Sequence, residues 1–372
     1  MKNIPTRKPG DAVMKRILYT AGTMRHIQNF HLPYIERLKS EGHEVALMAR
    51  GAGADIDIPF EKKMFSPENL LSALRIRQII KREKFDTVIL NTTLAAFVVR
   101  FCMPKRKRPR VINFVHGYMF PKMPKTLREK IFLFCERLLR KKTDYIMVMN
   151  TEDYGIAADY KLSLGAPKMT RGMGAKVSAD GYLPAELAYV RKKDRKCFVI
   201  CFVGELCKNK NQEMLIRAMP KIKTKVPSAV LWLVGDGGDR VELSRLKEEL
   251  SLSDSVCFWG HKSNPCDFIR ASDLYISPSK KEGLPFNIIE ALGCGKTVIA
   301  SDVKGHRDII EDGKSGFLFN VWDTEGLAEL VEAVYSGEKS INPKTAIERY
   351  KTFSFDSVFE ETYGIMKELI EK

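Results

Sequence analysis

Strands, glycine turns and helices alternate along this chain of 372 residues, and the same alternation occurs in both halves. The first half has an apolar run that ends at Gly22, a helical pattern at 26–41 and a second apolar run at 44–49. The second half begins with the apolar run 197–203, which leads to Gly204 and another helical pattern. Such alternation predicts parallel strands joined by right-handed crossovers. We therefore predict an α/β protein with two doubly wound, Rossmann-like domains that face a ligand cleft.

The segments between these patterns predict the domain boundaries. We place the first domain at 1–175, a charged linker at 176–196 and the second domain at 197–354. A final amphipathic helix is predicted within 355–372. In the first helical pattern, Pro33 either kinks the helix or marks its true first turn.

Two acidic residues flank the start of a helix in the second half. Glu282 stands on a loop that continues through Gly283 and Leu284, and Glu290 lies inside the helix that Pro285 is predicted to begin. The free N–H groups of a helix N-terminus suit a phosphate, whereas carboxylates beside it would repel one unless they face hydroxyl groups. A nucleotide-sugar offers both groups. The alternative is a helix whose two acids are merely solvated.

A different phosphate-binding motif, the P-loop, is a competing interpretation of the same region. Gly295-Lys296-Thr297 looks like the end of a P-loop, but the first glycine of that pattern would fall on Glu290. A β-branched strand follows where a P-loop needs a helix, so the P-loop interpretation fails.

The formal net charge of +16 is concentrated in one segment. Residues 105–142 contain thirteen Lys or Arg and two Glu. Within them, 126–142 forms a basic amphipathic pattern whose apolar stripe consists of Leu127, Ile131, Phe134 and Leu138. The pattern fits either a core helix with a solvated face or a helix that lies on an anionic membrane surface. No nucleic-acid-binding module is visible, so nucleic acid is not expected as a partner.

The lack of a recognisable targeting signal and the pattern of cysteines both predict a cytoplasmic protein. The first 13 residues are polar and do not resemble a secretory signal, and no stretch approaches the length of a membrane span. The eight cysteines lack zinc-site spacing and a C-x-x-C pair, which indicates reduced, buried thiols. We expect a cytoplasmic protein that associates with the inner face of the cell membrane through residues 105–142.

The block from Glu282 to Gly295, the loop 302–308 and the run 311–319 together resemble the donor-binding region of a large retaining glycosyltransferase family. That family includes sucrose synthase, glycogen synthase and many bacterial capsule and exopolysaccharide enzymes. The resemblance implies the GT-B architecture, in which the last helix crosses back to the first domain. It also implies that the second domain binds a nucleotide-sugar, expected to be a UDP-sugar, and that the first binds a glycan or lipid-linked saccharide acceptor.

The resemblance assigns roles to individual residues. Glu290 is expected to hold the ribose diol, and Glu282 to contact donor-sugar hydroxyls or stabilise charge at the reacting carbon. Lys210, with the amides of Gly283 and Leu284, is expected to bind the diphosphate. In the family a histidine near the donor sugar falls where His116 stands, so His116 and Glu282 are the predicted catalytic residues.

Four further positions are assigned to donor binding on weaker signals. They are Gly22, Gly204, Gly235 and His261. The family pattern after Gly204 continues with an arginine and, later, a lysine and a glycine. Here Glu205 replaces the arginine and Asn211 the glycine, so Lys208 or a residue of another loop is expected to supply the second cation.

Other polar residues of the first domain have less defined roles. His26 and His31 are equally compatible with a helix face and with acceptor contacts, and Asn91 ends a strand that could line the acceptor side. The Asp-x-Asp pair Asp55 and Asp57 lies away from the donor motifs, so neither a metal site nor an obligatory metal or other cofactor is expected.

Two alternatives remain open from the sequence. One is a sugar-nucleotide epimerase of the same architecture, which needs no acceptor. The other is a non-catalytic sugar-nucleotide-binding protein, which the departure at Glu205 keeps possible.

Overall fold

The structure is a computed structural model that describes residues 14–61, 66–104, 107–177 and 197–372. The chain divides into two compact units. The first comprises Met1–Met173 and Phe359–Lys372, and the second Gly174–Val358. The predicted linker 176–196 lies outside the described residues except for its first two positions.

Parallel strands form the sheet of the first unit in the order β3-β2-β1-β4-β5-β6-β7. These strands are β1 (Arg16–Thr23), β2 (Glu44–Arg50), β3 (Ile56–Asp57), β4 (Thr87–Asn91), β5 (Arg110–Val115), β6 (Tyr145–Val148) and β7 (Lys168–Met169). The strand order reverses between β1 and β4. In doubly wound sheets, ligands bind beside the carboxyl ends of the two strands at such a reversal.

Helices cover this sheet, and the first predicted helix is in fact two. The described helices are α1 (Met24–Phe30), α2 (Leu32–Ser40), α3 (Pro67–Glu83), α4 (Thr93–Cys102), α5 (Leu127–Leu139) and α6 (Thr151–Asp159), with a 3₁₀ turn at Arg140–Lys142. Pro33 lies in the first turn of α2. A proline there removes an N–H that has no intrahelical partner in any case, which confirms the second of the two predicted roles of Pro33.

The second unit repeats the scheme with strands in the order β10-β9-β8-β11-β12-β13. All described neighbours pair in parallel. These strands are β8 (Phe198–Val203), β9 (Ala229–Val234), β10 (Val256–Gly260), β11 (Leu274–Ser277), β12 (Val298–Ser301) and β13 (Phe317–Phe319). Here the order reverses between β8 and β11.

The helices of the second unit follow the strands. They are α7 (Gln212–Lys225), α8 (Arg240–Glu249), α9 (Cys266–Ala271), α10 (Phe286–Gly293), α11 (His306–Ile309), α12 (Thr324–Tyr335) and α13 (Pro343–Lys351). The core between these helices and the sheet contains the fully buried side chains of Phe202, Trp232 and Tyr275.

The final helix, α14 (Phe355–Glu371), belongs to the first unit from Phe359 onward. The ring of Phe359 lies 4.8 Å from that of Tyr34. The Thr362 hydroxyl donates to the Gly172 carbonyl at 2.9 Å. These contacts bury the apolar face of α14 that the sequence pattern indicates.

Helix α5 packs through a face other than its apolar stripe. Its buried residues are Cys135, Glu136 and Leu139. The stripe is exposed to solvent instead, with exposed fractions of 75 % at Leu127, 44 % at Ile131, 64 % at Phe134 and 60 % at Leu138. The interpretation of this stripe as part of the core is therefore wrong. Among the described residues, no helix is long and apolar enough to cross a membrane.

Candidate active site

The two loops that leave β8 and β11 are joined side by side at the strand reversal of the second unit. The Asn209 side-chain amide donates to the Lys281 carbonyl at 2.9 Å, and the Lys280 amide donates to the Asn209 carbonyl at 2.8 Å. The Asn211 side chain donates to the Pro278 carbonyl at 3.1 Å. These hydrogen bonds hold Lys210 and Glu282 in fixed positions on neighbouring loops.

Lys210 and Glu282 form an ion pair inside this loop junction. Lys210 Nζ lies 2.7 Å from Glu282 Oε1, and both side chains are mostly buried, with exposed fractions of 21 % and 12 %. Burial alone would raise the pKa of the Glu282 carboxyl, but the charge of Lys210 and its hydrogen bond to this carboxyl outweigh burial and lower that pKa. Glu282 is therefore an anion at neutral pH, with a cation already beside it.

Close backbone contacts between loops require glycine at two places near this pair. Gly305 has φ +79°, and a Cβ there would lie 2.4 Å from the Gly283 carbonyl oxygen. A Cβ on Gly235 would lie 1.9 Å from the Gly204 carbonyl oxygen. Side chains at these positions would push the loops apart, so glycine permits the close contact of the two backbones.

Glu290 projects from α10, which is tied to the end of β8. The Asn287 side chain donates to the Val203 carbonyl at 2.8 Å. Pro285 occupies the residue before the helix and not its first position, one residue off the predicted start. Burial raises the pKa of the Glu290 carboxyl to about 7. Among the described residues, no donor or cation pairs with this carboxyl in the structure.

The residues that depart from the family pattern are accounted for by their surroundings. Lys208, which together with residues of other loops was a candidate for the second cation, forms ion pairs with Glu242 and with Asp239, the latter at 3.7 Å. Glu205 is exposed. Asn211 adopts φ +59°, a left-handed conformation that asparagine tolerates better than most side chains and that glycine adopts readily. The replacement of glycine by Asn211 therefore preserves the turn.

The loops after β9 and β10 lie next to each other. The Gly235 amide donates to the Gly260 carbonyl at 2.8 Å. His261, which follows directly, is exposed. Its position after a strand end is the one that the sequence predicts.

His306 is a site residue that the sequence analysis did not single out. It is fully buried at the start of α11, with Nδ1 2.8 Å from the Ser301 carbonyl and Nε2 3.4 Å from the Ser277 hydroxyl. Burial lowers its pKa to about 4, although the nearby Glu282 carboxylate favours the charged form. A histidine after a glycine at a strand end, as in Gly305-His306, is the signal that could have identified it.

In the first unit, His116 lies in a cluster of histidines at the other strand reversal. His116 Nε2 is 3.2 Å from Asn91 Oδ1, which ends β4. The His116 ring centroid is 5.0 Å from that of His26 and 5.3 Å from that of His31. His26 and His31, left between two interpretations, thus belong with His116 and not to an isolated helix face.

Burial keeps these imidazoles neutral. It lowers the pKa of His116 to about 3 and that of His26 to about 4, and it holds the pKa of His31 well below its usual range. Neighbouring rings reinforce the effect at His116 and His31. All three histidines can therefore accept a hydrogen bond or bind a metal through a ring nitrogen at neutral pH.

The predicted glycine turn at Gly22 belongs to the first unit as the last part of β1. Its amide donates to the Thr92 hydroxyl at 2.9 Å. Thr92 has φ +67°, an unfavourable conformation for a β-branched residue that is often found at functional sites. The Asp-x-Asp pair is engaged locally, since Asp55 accepts the Leu47 amide at 2.7 Å and Asp57 the Gly51 amide at 3.1 Å.

The predicted residues thus fall into two groups, one in each unit. The second unit contains the loops that carry Gly204, Lys210, Gly235, His261, Glu282, Gly283 and Leu284, and the helix that carries Glu290. The first unit contains His116 and Gly22, each at the carboxyl end of a strand. These positions are the ones at which doubly wound domains bind ligands.

Comparison with known proteins identifies the family. Residues 33–159 match the model described as Glycosyltransferase Family 4, and residues 187–351 the model described as Glycosyl transferases group 1. The chain is 30 % identical to the putative glycosyltransferase EpsD of Bacillus subtilis over 86 % of this chain and 87 % of that protein. It is 23 % identical to the UDP-Gal:alpha-D-GlcNAc-diphosphoundecaprenol alpha-1,3-galactosyltransferase of Escherichia coli over 85 % and 86 % of the two chains.

Solved structures show the same fold. Anabaena HepE, crystallised with UDP and glucose, has a TM-score of 0.73 at 17 % identity over 95 % of this chain and all of that one. Sucrose-phosphate synthase of Thermosynechococcus elongatus has a TM-score of 0.76 at 17 % identity over 95 % and 99 % of the two chains. These folds are two-domain GT-B folds. The chain therefore belongs to the group 1 glycosyl transferases of glycosyltransferase family 4 and is a glycosyltransferase.

Proposed function

We propose that this glycosyltransferase moves a sugar from a UDP-sugar to a lipid-linked or oligosaccharide acceptor, with retention of anomeric configuration, in polysaccharide assembly. The observation that carries the proposal is the arrangement of Lys210, Glu282 and Glu290 around the strand reversal of the second unit. It offers a cation for a diphosphate and two carboxyl groups for hydroxyls within one set of loops.

Glu290 is the residue that we assign to the ribose diol. Its carboxyl is half-buried and has no hydrogen-bond partner among the described residues, so it can accept hydrogen bonds from a bound ligand. Two adjacent hydroxyls can donate to the two oxygens of one ionised carboxylate. The diol of a nucleotide ribose therefore supplies what this group lacks.

Lys210 and the backbone of the Gly283–Leu284 turn are assigned to the diphosphate. The Lys210 ammonium is already partly desolvated against Glu282, and a phosphate oxygen can replace that carboxylate as its partner. Its charge then stabilises the diphosphate as the sugar–phosphate bond breaks. Glu282, released from that ion pair, can accept hydrogen bonds from sugar hydroxyls.

Retention without a covalent intermediate follows from the kinds of group available. A double displacement needs a carboxylate nucleophile and a second acid–base group. Glu282 is assigned to the sugar hydroxyls, Glu290 is assigned to the ribose, and His116 is a neutral imidazole and not a carboxylate. In the proposed route the acceptor approaches on the face that the diphosphate leaves, and a diphosphate oxygen takes its proton.

We also propose that transfer requires no metal at the diphosphate. Lys210 can neutralise the leaving group. Asp55 and Asp57 each accept a backbone amide, so the Asp-x-Asp pair is committed to its own turn.

The relatives support an acceptor carried on a lipid. The Escherichia coli relative acts on a diphosphoundecaprenol-linked sugar, as its name states, and it aligns over most of both chains. For this chain we infer a cytoplasmic enzyme bound to the inner face of the membrane. Helix α5 supports this location, because its exposed stripe of Leu127, Phe134 and Leu138 is accompanied by the basic residues of 107–142.

Liposome flotation tests the membrane proposal. Wild-type protein should float with anionic vesicles and be released by high salt, because each surface Lys or Arg contributes about 1 kcal/mol within a Debye length. Phe134→Asp should reduce flotation. Val241→Asp, at a residue of the second unit with a similar exposed fraction of 70 %, is the matched control. Equal loss in both variants, or equal binding of wild type to neutral vesicles, would reject the proposal.

A UDP-release screen tests the transfer itself. Sugar nucleotides are incubated with the protein with and without a lipid-linked saccharide, and stoichiometric UDP release that needs the acceptor is the expected result. Lys210→Ala should reduce it roughly 100-fold, while Lys208→Ala, at an exposed lysine paired with Glu242, should leave it unchanged. Conversion of the sugar nucleotide without UDP release would indicate an epimerase, and binding without turnover a non-catalytic protein.

A further inference from the structure

Three histidines of the first unit converge on one point. His26 comes from α1, His31 from the junction of α1 and α2, and His116 from the loop after β5. Each offers one ring nitrogen, and these atoms all lie within 4.8 Å of one another. We propose that this histidine cluster is a transition-metal site that binds Zn²⁺.

The spacing fits tetrahedral coordination. Zn–N bonds of about 2.0–2.1 Å give an edge of about 3.3–3.4 Å between two ligand nitrogens. His26 Nε2 and His31 Nε2 lie 3.2 Å apart, already close to that edge. The third nitrogen needs to approach by about 1.5 Å at most, which rotation of the partly exposed His26 and His116 side chains can provide.

Two polar side chains lie within hydrogen-bond distance of ring nitrogens in the histidine cluster and can act as outer partners, which orient the metal-binding rings. Tyr19 Oη lies 2.8 Å from His31 Nδ1, so the tyrosine can fix the ring with Nε2 directed to the metal. Asn91 Oδ1 lies 3.2 Å from His116 Nε2, so the other ring nitrogen of His116 is the one that would bind the metal. Metal-binding histidines usually have such a partner on the second nitrogen, because it sets the tautomer and the ring orientation.

The ligand set selects the kind of metal. The group contains three imidazoles, and within the described part of the chain no carboxylate belongs to it. Imidazole nitrogen suits Zn²⁺ and similar transition metals, whereas Mg²⁺ and Ca²⁺ prefer oxygen. Three protein ligands leave a fourth position for water or a ligand hydroxyl.

Calorimetry with Zn²⁺ and Co²⁺ absorption spectroscopy on the full chain test this site. Wild type should bind one equivalent of Zn²⁺ and show no response to Mg²⁺. Tyr19→Phe should weaken Zn²⁺ binding roughly 10- to 100-fold, as loss of an outer partner does, and His26→Ala by more. His261→Asn, which changes an exposed histidine of the second unit, should bind as wild type does.

The absorption spectrum of bound Co²⁺ distinguishes binding at the histidine cluster from binding at any of the eight cysteines. A three-imidazole site gives Co²⁺ d–d bands without a thiolate charge-transfer band, so that band would assign the metal to cysteine. Absence of Zn²⁺ binding in wild type, or unchanged binding in the Tyr19→Phe and His26→Ala variants, would also overturn the proposal. The readout is metal binding and not transfer, so either result leaves the proposed glycosyl transfer to be judged separately.

Discussion

Replacement of Glu290 by glutamine should remove a specific contact to the ribose and its dependence on pH. The carboxyl lies in α10 beside the strand reversal, half-buried and without a described hydrogen-bond partner. When a diol binds, the ionised carboxylate accepts one hydrogen bond from each of the two hydroxyls. Because glutamine has nearly the same shape but only one acceptor oxygen and no charge, Glu290→Gln isolates this interaction.

The hydrogen bonds and the burial of Glu290 determine the size of the effect on UDP affinity and the direction of its pH dependence. Lost hydrogen bonds to a buried diol cost about 1–3 kcal/mol, or about 5- to 150-fold in UDP affinity. The pKa of Glu290 is raised to about 7 by burial, so the free protein must give up a proton before it binds the diol at lower pH. Wild-type affinity should therefore rise about tenfold from pH 6 to pH 8 and level off above that range.

Calorimetry with UDP and with 2′-deoxy-UDP on both proteins measures these effects. UDP itself titrates near neutrality, and the Glu290→Gln variant reports that contribution because it lacks the titrating carboxyl. Wild type should prefer UDP over the deoxy form and release more protons on binding at pH 7 than the variant, and the variant should discriminate less between the two ligands. Equal UDP affinity in the two proteins, or the same pH dependence in both, would refute the assignment of Glu290 to the ribose.

Two further predictions concern other charged pairs. Glu282→Ala should slow transfer with little change in UDP affinity, measured by steady-state kinetics and calorimetry, and a loss of UDP affinity equal to the loss of rate would place Glu282 on the nucleotide instead. Glu136→Ala should lower the free energy of unfolding by about 3–5 kcal/mol, because it leaves the fully buried Arg100, now 2.7 Å from Glu136, without its partner. Chemical denaturation should show a change below about 1 kcal/mol for Glu213→Ala, which breaks an exposed pair, and equal losses in the two variants would contradict the burial argument.

The sequence was sufficient to predict the fold because local patterns determine it. Apolar runs followed by glycine mark the ends of β1 and β8, and the alternation with helices implies parallel sheets. Very short strands such as β3 and β7 were not predicted. Each has two residues, and such strands form because a neighbouring strand presents an edge and not because of their own pattern.

Local sequence patterns were also sufficient to predict part of the candidate site. Glu282 and Glu290 belong to one loop and helix, so their relation follows from local sequence. The ion pair between Lys210 and Glu282, the burial of His306 and the convergence of His26 with His116 depend on tertiary packing that no local pattern contains. Helix α5 has apolar residues on more than one face, so its periodicity could not indicate which face is buried.

The central claim is that the enzyme transfers a sugar from a UDP-sugar to an acceptor with retention of configuration. One proton NMR experiment tests this claim most directly. The chain is incubated with an α-linked UDP-sugar and a lipid-linked saccharide, and UDP and the new anomeric proton are followed in the same sample. We expect one α-linked product for each UDP formed, since the acceptor approaches on the face that the diphosphate leaves. A β-linked product, or UDP that forms without a new glycosidic linkage, would contradict the account.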